Sequence, residues 1–162
     1  METPVPLRSD WSEATCPIAR SLDVVGDPWV VLVLREALTG STRFEQFRGA
    51  LGVADNVLSR RLAGMVEAGL LVRAPYDAGN RTREEYLLTD AGTDLFPVLH
   101  ALAQWGERHR PAGTGRMDVV HEGCGQVTGS ADTCTSCGSP LSAATVSWRR
   151  PRDPGVLTPL VR

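Results

Sequence analysis

The sequence predicts a mainly α-helical domain carrying one small β hairpin, followed by a small β module built around metal ligands. Three observations predict it. Apolar residues recur at helical spacing through most of the first 110 positions. Leu58, Leu62, Met65 and Val66 form a stripe at i, i+4, i+7 and i+8, followed by Gly69, a short apolar run and an arginine-bearing turn. His121, Cys124, Cys134 and Cys137 fall as two pairs, each with two residues between its members and a glycine after it.

Residues 1–14 read as a flexible tail. Cys16-Pro17 opens a first helix, since proline suits the first turn, and Ile18, Leu22 and Val25 share a face. Gly26-Asp27-Pro28 breaks it. A second helix is expected from Trp29 to about Leu38, with Trp29, Val30, Val33, Leu34 and Ala37 inward. A third covers Arg43 to Leu51, with Phe44, Phe47 and Leu51 at helical spacing, and Gly52-Val53 turns into a fourth from about Ala54 to Ala68. Two helices joined by a short glycine-containing turn are a helix-turn-helix.

Asn56, Ser59, Arg60 and Ala63 face away from the apolar stripe of the fourth helix. Gly69 ends it, as a glycine past the last turn often does. Leu70 to Val72 then reads as a strand and Tyr86 to Leu88 as its return. Between them Arg73 to Arg83 make a loop with the turn sequence Asp77-Ala78-Gly79-Asn80, carrying Arg81 and Arg83. Helix, strand, wing, strand is the plan of a winged helix that reads DNA. The fourth helix offers short polar side chains to base edges, and the wing offers guanidinium groups to phosphates. An ordinary helix plus hairpin with solvated arginines is the competing reading.

Thr89 is placed to cap a long helix, Asp90 to His109, in which Pro97 predicts a kink. Leu95, Val98, Leu99, Leu102 and Trp105 give it a broad apolar face, read together with the first helix as a dimer surface; the alternative is a cover for the domain's own core. A winged-helix and dimerisation domain over residues 15–110 is followed by a linker at 111–115, a metal module at 116–148 and an irregular tail at 149–162.

The chain has 162 residues, is 42% hydrophobic and carries a net charge of −2. That suffices for a core and argues against a general polyanion binder, although local patches matter more than the sum. All 17 basic residues are arginine, the better fork for guanine and phosphate. No apolar run approaches the roughly 20 residues of a membrane span. With no apolar signal-peptide core near the N-terminus, a cytoplasmic protein without membrane partners is expected. No nucleophile–base motif, phosphate loop or carboxylate pair suggests an enzyme.

From Cys16 to about His109 the chain closely resembles HxlR-type transcriptional regulators, relatives of the MarR winged-helix group. The resemblance is carried by Cys16-Pro17-Ile18 with Leu22, Gly26-Asp27-Pro28-Trp29, Leu34-Arg35, Arg43-Phe44 with Phe47, and Leu51-Gly52-Val53. It continues through Leu58-Ser59-Arg60-Arg61-Leu62, Gly69-Leu70, and Tyr86-Leu87-Leu88-Thr89 with Gly92. It implies a dimeric, sequence-specific regulator on a pseudo-palindromic operator of double-stranded DNA, answering to a small-molecule or redox signal. By position, Asn56, Ser59 and Arg60 would approach bases, Arg61 the DNA backbone, Arg81 and Arg83 the wing's target, and Arg43 a phosphate. Two departures stand out. Ala54 replaces the family's usual Ser or Thr helix cap, worth about 1 kcal/mol, with Asp55 partly offsetting the loss through the helix dipole. The wing also lacks the family's proline near Gly79-Asn80.

His121-x-x-Cys124-Gly125 and Cys134-x-x-Cys137-Gly138 have the form of zinc knuckles. Four such ligands suit a closed, structural tetrahedral Zn2+ site, resembling a zinc ribbon. The competing reading is a redox dithiol or disulfide among the cysteines, with His121 incidental. Cys16, at a helix N-terminus where a thiol becomes more reactive, is a redox-sensing candidate, since the resembled family includes oxidant sensors with a matching cysteine; the alternative is a buried structural cysteine. A ligand could sit near Trp29, Phe96 and Trp105, or these could be core. A protein-interaction adaptor using winged helix and ribbon is the alternative function.

Overall fold

The computed structural model describes residues 10–79, 81–113 and 115–161. Helices α1 (Pro17–Val25), α2 (Pro28–Leu38), α3 (Phe44–Leu51) and α4 (Asp55–Glu67) lead into strands β1 (Leu71–Asp77) and β2 (Thr82–Leu88). Helices α5 (Asp90–Thr93) and α6 (Phe96–His109) follow, then β3 (Asp118–His121), β4 (Val146–Arg149) and β5 (Leu157–Pro159). The wing is an antiparallel β1–β2 pair, with Arg73 opposite Tyr86 and Tyr76 opposite Arg83. The second sheet is antiparallel in the order β3-β4-β5.

The four predicted helices form within a residue or two of their expected ends. Asp27 caps α2 by accepting from the Trp29 backbone N–H at 2.9 Å. Gln46 Oε1 accepts from the N–H groups of Thr42 and Arg43, both at 2.9 Å, closing the entrance of α3. Gly52 (φ 62°) makes the left-handed turn between α3 and α4 that a side chain would strain. Ala54 caps α4 without a side-chain hydrogen bond.

Four expectations differ from what forms. The long helix over Asp90 to His109 is broken rather than kinked. Thr89 Oγ1 caps α5 by accepting from Gly92 N–H, and Pro97 lies in the first turn of α6, where no intrahelical N–H is needed. Most of the expected wing loop is strand, because the arms extend to Asp77 and from Thr82. Of the expected N-terminal tail, residues 1–9 lie outside the described residues, but Arg20 Nη1 donates to Ala14 O (2.6 Å) and Thr15 O (3.0 Å), tying the rest to α1. In the stretch 149–162, Leu157–Pro159 pairs with β4 and Val161 N–H donates to Leu38 O of α2 at 2.8 Å; Arg162 is outside the described residues.

One core runs through the described chain. Val33, Leu34, Leu38, Phe47, Leu58, Leu62 and Met65 are at most 1% exposed and pack the helix-turn-helix. Val119, Val146, Trp148 and Leu160 fill the second sheet, and Trp148 meets Phe96 of α6 with ring centroids 6.2 Å apart. The expected linker at 111–115, in which Thr114 is outside the described residues, joins two parts of a continuous core.

Candidate nucleic-acid interface and metal-binding site

Helix α4 is fixed from beneath by Leu58, Leu62 and Met65, all buried. That anchoring turns Asn56, Ser59 and Arg60 outward, and all three are exposed. Arg61 takes a different place. Half-buried, its Nη2 pairs with Asp27 Oδ2 at 2.6 Å, so it locks α4 to the cap of α2.

The wing arginines are also supported by their own chain. Arg83 lies on β2 and pairs with Glu45 of α3 at 3.2 Å. Arg43 stacks its guanidinium 4.3 Å from the centroid of the Tyr76 ring on β1, a cation–π contact. Arg81 is exposed at the wing turn, where Gly79 N–H donates to Asp77 Oδ1 and Ala78 N–H to Arg81 O; Asn80 is outside the described residues. The Tyr86 N–H donates to Thr42 O at 2.7 Å, binding wing to helix-turn-helix. Arg43, Arg81 and Arg83 thus share the wing and its junction with α3. Tyr76 was missed in the sequence because its role depends on cross-strand register.

In the C-terminal part of the chain, the two knuckles repeat one hydrogen-bond pattern. His121 N–H donates to Gln126 O and Gly125 N–H to His121 O; Cys134 N–H donates to Ser139 O and Gly138 N–H to Cys134 O. Gly125 and Gly138 have φ of 69° and 74°, the left-handed turn that each knuckle requires. One ligand atom from each of His121, Cys124, Cys134 and Cys137 falls within 4.8 Å of all the others. Cys124 and Cys134 sulfurs are 3.7 Å apart, and His121 Nδ1 lies 3.3 Å from Cys124 and from Cys137. Tetrahedral zinc would set sulfur–sulfur spacings of about 3.8 Å and sulfur–nitrogen spacings of about 3.5 Å. A disulfide needs about 2.05 Å, and all four cysteines are free thiols. The group can hold a metal ion.

The thiols influence one another. The Ser139 hydroxyl and backbone N–H push Cys137 down to about 6. Cys124 is pushed up: the Gln126 backbone N–H favours its thiolate, but burial and the neighbouring cysteines outweigh it. Cys16 stands far from this chemistry in the chain, exposed at the cap of α1.

Of the proposed ligand-pocket residues Trp29, Phe96 and Trp105, two lie in opposite environments. Phe96 is fully buried between His100 and Trp148, because the break before α6 turns it into the core. Trp105 is 53% exposed. A cleft of about 590 Å³ lies instead between α6 and the second sheet, lined by His100, Gln104, Glu107, Arg108, Met117 and Val127 among others. Its walls are far apart in sequence, so no local pattern announces it.

Sequence reading also missed Glu36. This α2 residue is buried and its carboxylate pairs with Arg35 at 2.9 Å, Arg150 at 3.0 Å and Arg152 at 3.0 Å. The available signal was an acid on the apolar side of a helix.

A helix-turn-helix with an outward polar face on α4 and an arginine-bearing wing defines a transcription-regulator fold. The HxlR-like helix-turn-helix family model matches residues 24–114, and the chain belongs to that family of transcriptional regulators, which is not a family of enzymes. The HTH-type transcriptional regulator Rv3095 of Mycobacterium tuberculosis, itself uncharacterised, is 40% identical over 131 residues, covering 80% of this chain and 82% of that protein. The YdeP regulator of Bacillus subtilis is 29% identical over 96 residues, covering 59% of this chain and 74% of that one. Among solved structures, PA1607, named as a candidate transcription factor, is 40% identical with a TM-score of 0.69, covering 83% of this chain and 94% of its own. The redox regulator HypR in its reduced form is 28% identical with a TM-score of 0.54, covering 59% of this chain and 94% of its own. Among the described residues no helix is long and apolar enough to cross a membrane.

Proposed function

We propose that the protein is a homodimeric, sequence-specific DNA-binding regulator acting in the cytoplasm. The observation that carries this is the outward set of Asn56, Ser59 and Arg60 on α4, flanked by Arg43, Arg81 and Arg83 at the wing. Asn56, Ser59 and Arg60 read base edges; the wing arginines engage phosphates. The Arg83–Glu45 pair is solvent-exposed, and such pairs hold only about 0–1 kcal/mol, so a phosphate can displace the carboxylate. Arg61 contributes by fixing the angle of α4 through Asp27.

Dimerisation is supported by exposed apolar side chains on α1 and α6. Ile18 and Leu22 on α1 are 70% and 46% exposed, and Val98, Leu102 and Trp105 on α6 are each 53% exposed. Two copies joined there would present two α4 helices to successive major grooves, about 34 Å apart, on a pseudo-palindromic operator.

The thiol and imidazole donors fit a structural Zn2+, which would supply the closure of the two knuckles. Cys16, exposed at the start of α1, is the candidate redox sensor: oxidant release of DNA should vanish in Cys16→Ser. For a small-molecule effector, the cleft beside His100 offers a volume of about 590 Å³.

The testing experiment is fluorescence anisotropy with the gene's own upstream duplex against a scrambled duplex, across a salt series. Selective binding with a steep negative salt slope is expected. Equal, weak binding to both, after folding and other operators are checked, would favour the adaptor reading.

A further inference from the structure

We infer that metal loading at His121, Cys124, Cys134 and Cys137 docks the second sheet onto α2 and so sets DNA affinity, making this a metal-responsive regulator. The inference rests on the zinc and DNA-binding readings above, and the cation is a thiophilic divalent ion, zinc by its donor set.

One sheet links a metal ligand to the docking segments: His121 is in β3, and Arg150, Arg152 and Val161 follow directly on β4 and β5. His121 ends β3 and pairs with Val146 of β4. Strand β4 runs on to Arg149, and Arg150 and Arg152 follow at once to hold Glu36 of α2. The returning strand β5 then delivers Val161 N–H to Leu38 O at the end of the same helix. The knuckles themselves have little apolar reason to fold. Between residues 122 and 140, Cys134 is the one buried hydrophobic side chain among those described, and Val127 is 45% exposed. A cation bound by four side chains supplies the cohesion that this stretch lacks.

Helix α2 is the receiver at both ends. Glu36 and Leu38 near its C-terminus hold the second sheet; Asp27 at its N-cap holds Arg61 of α4. When the knuckles come apart, β3 loses its anchored end and the arginines are released from Glu36. Helix α2 then loses two of the three arginines on Glu36 and the Val161–Leu38 hydrogen bond, so its seat loosens, and with it the angle of α4. The element biased by the metal is therefore α2, which touches both the second sheet's segments and α4 and whose seating metal and DNA would bias together.

The test uses the full-length protein, with zinc content measured by mass spectrometry of the metal, amide hydrogen exchange read at Val161, and DNA affinity by anisotropy. Stripping zinc with a strong chelator should speed exchange at Val161 by about tenfold or more and weaken DNA binding by about fivefold or more. Zinc chloride should restore both and magnesium chloride neither. Glu36→Gln should still bind one zinc per chain, yet bind DNA weakly whether or not chelator is present. Zinc loss with Val161 exchange and DNA affinity unchanged overturns the inference. Failure of reconstituted protein to bind zinc overturns the zinc reading and the inference with it. Zinc-loaded protein that ignores DNA overturns the regulator reading instead, whatever Val161 does.

Discussion

Glu36 Oε2 and Arg150 Nη1, 114 residues apart in the chain, meet at 3.0 Å, joining the helix-turn-helix to the second sheet. The carboxylate is 2% exposed and the guanidinium 17%. Burying a carboxylate costs several kcal/mol unless it is paired, and here Arg35, Arg150 and Arg152 share the task. Removing one partner of a buried pair typically costs 3–5 kcal/mol. Arg150→Ala is therefore expected to lower stability by about 3 kcal/mol in urea unfolding. Arg152→Ala should cost less, because its side chain is 47% exposed.

Stability should fall with acid over two pH ranges. Burial pulls the Glu36 carboxyl upward, but Arg35, Arg152 and Arg150 together hold it below its ordinary 4.5. Its folded value is depressed, so its contribution is present above 4.5 and is lost as pH falls through the folded value. Burial likewise holds His100 below its ordinary 6.5. The unfolded chain then binds the proton first, so stability falls as pH drops below 6.5 toward the folded value. Glu36→Gln should flatten the lower range and leave the upper one, a result readable from chemical denaturation at a series of pH values.

Arg60 and Arg83 should separate specificity from affinity. If Arg60 makes a bidentate base contact, Arg60→Ala relaxes sequence preference by about 1–3 kcal/mol. Arg83→Ala should weaken all duplexes alike and reduce the salt slope by about 1. Unchanged binding by both variants in gel-shift titration would remove these residues from the interface.

Trp105→Asp should separate the protomers without unfolding them. The side chain is 53% exposed, so the monomer's core does not depend on it. Light scattering should report a monomer with unchanged circular dichroism and lost operator affinity. A Trp105→Asp protein that remains a dimer would place the interface elsewhere.

Ala54→Ser should stabilise the fold by about 1 kcal/mol. Ala54 has the extended backbone of a helix cap (φ −62°, ψ 142°) but offers no side-chain acceptor. A serine hydroxyl there can accept from an orphan N–H of the first turn of α4. Thermal melting would check the gain.

Periodicity alone determined the four N-terminal helices, the helix-turn-helix and the existence of the wing, since each is a local consequence of apolar spacing and turn chemistry. The paired spacing of His121, Cys124, Cys134 and Cys137 likewise reported a group of side chains that can hold a metal ion, because each half is a single tight turn. Tertiary structure decided what depends on partners distant in sequence. It put Pro97 at the start of a helix and Phe96 against Trp148, and it turned Arg61 toward Asp27 and Arg83 toward Glu45. It also drew residues expected to be irregular into a strand and, just past it, a Val161 hydrogen bond to α2, so that a second module and the helix-turn-helix share one core. No local pattern encodes such choices: they follow from which buried charge finds its counterion and which backbone N–H finds its carbonyl once the chain has closed on itself.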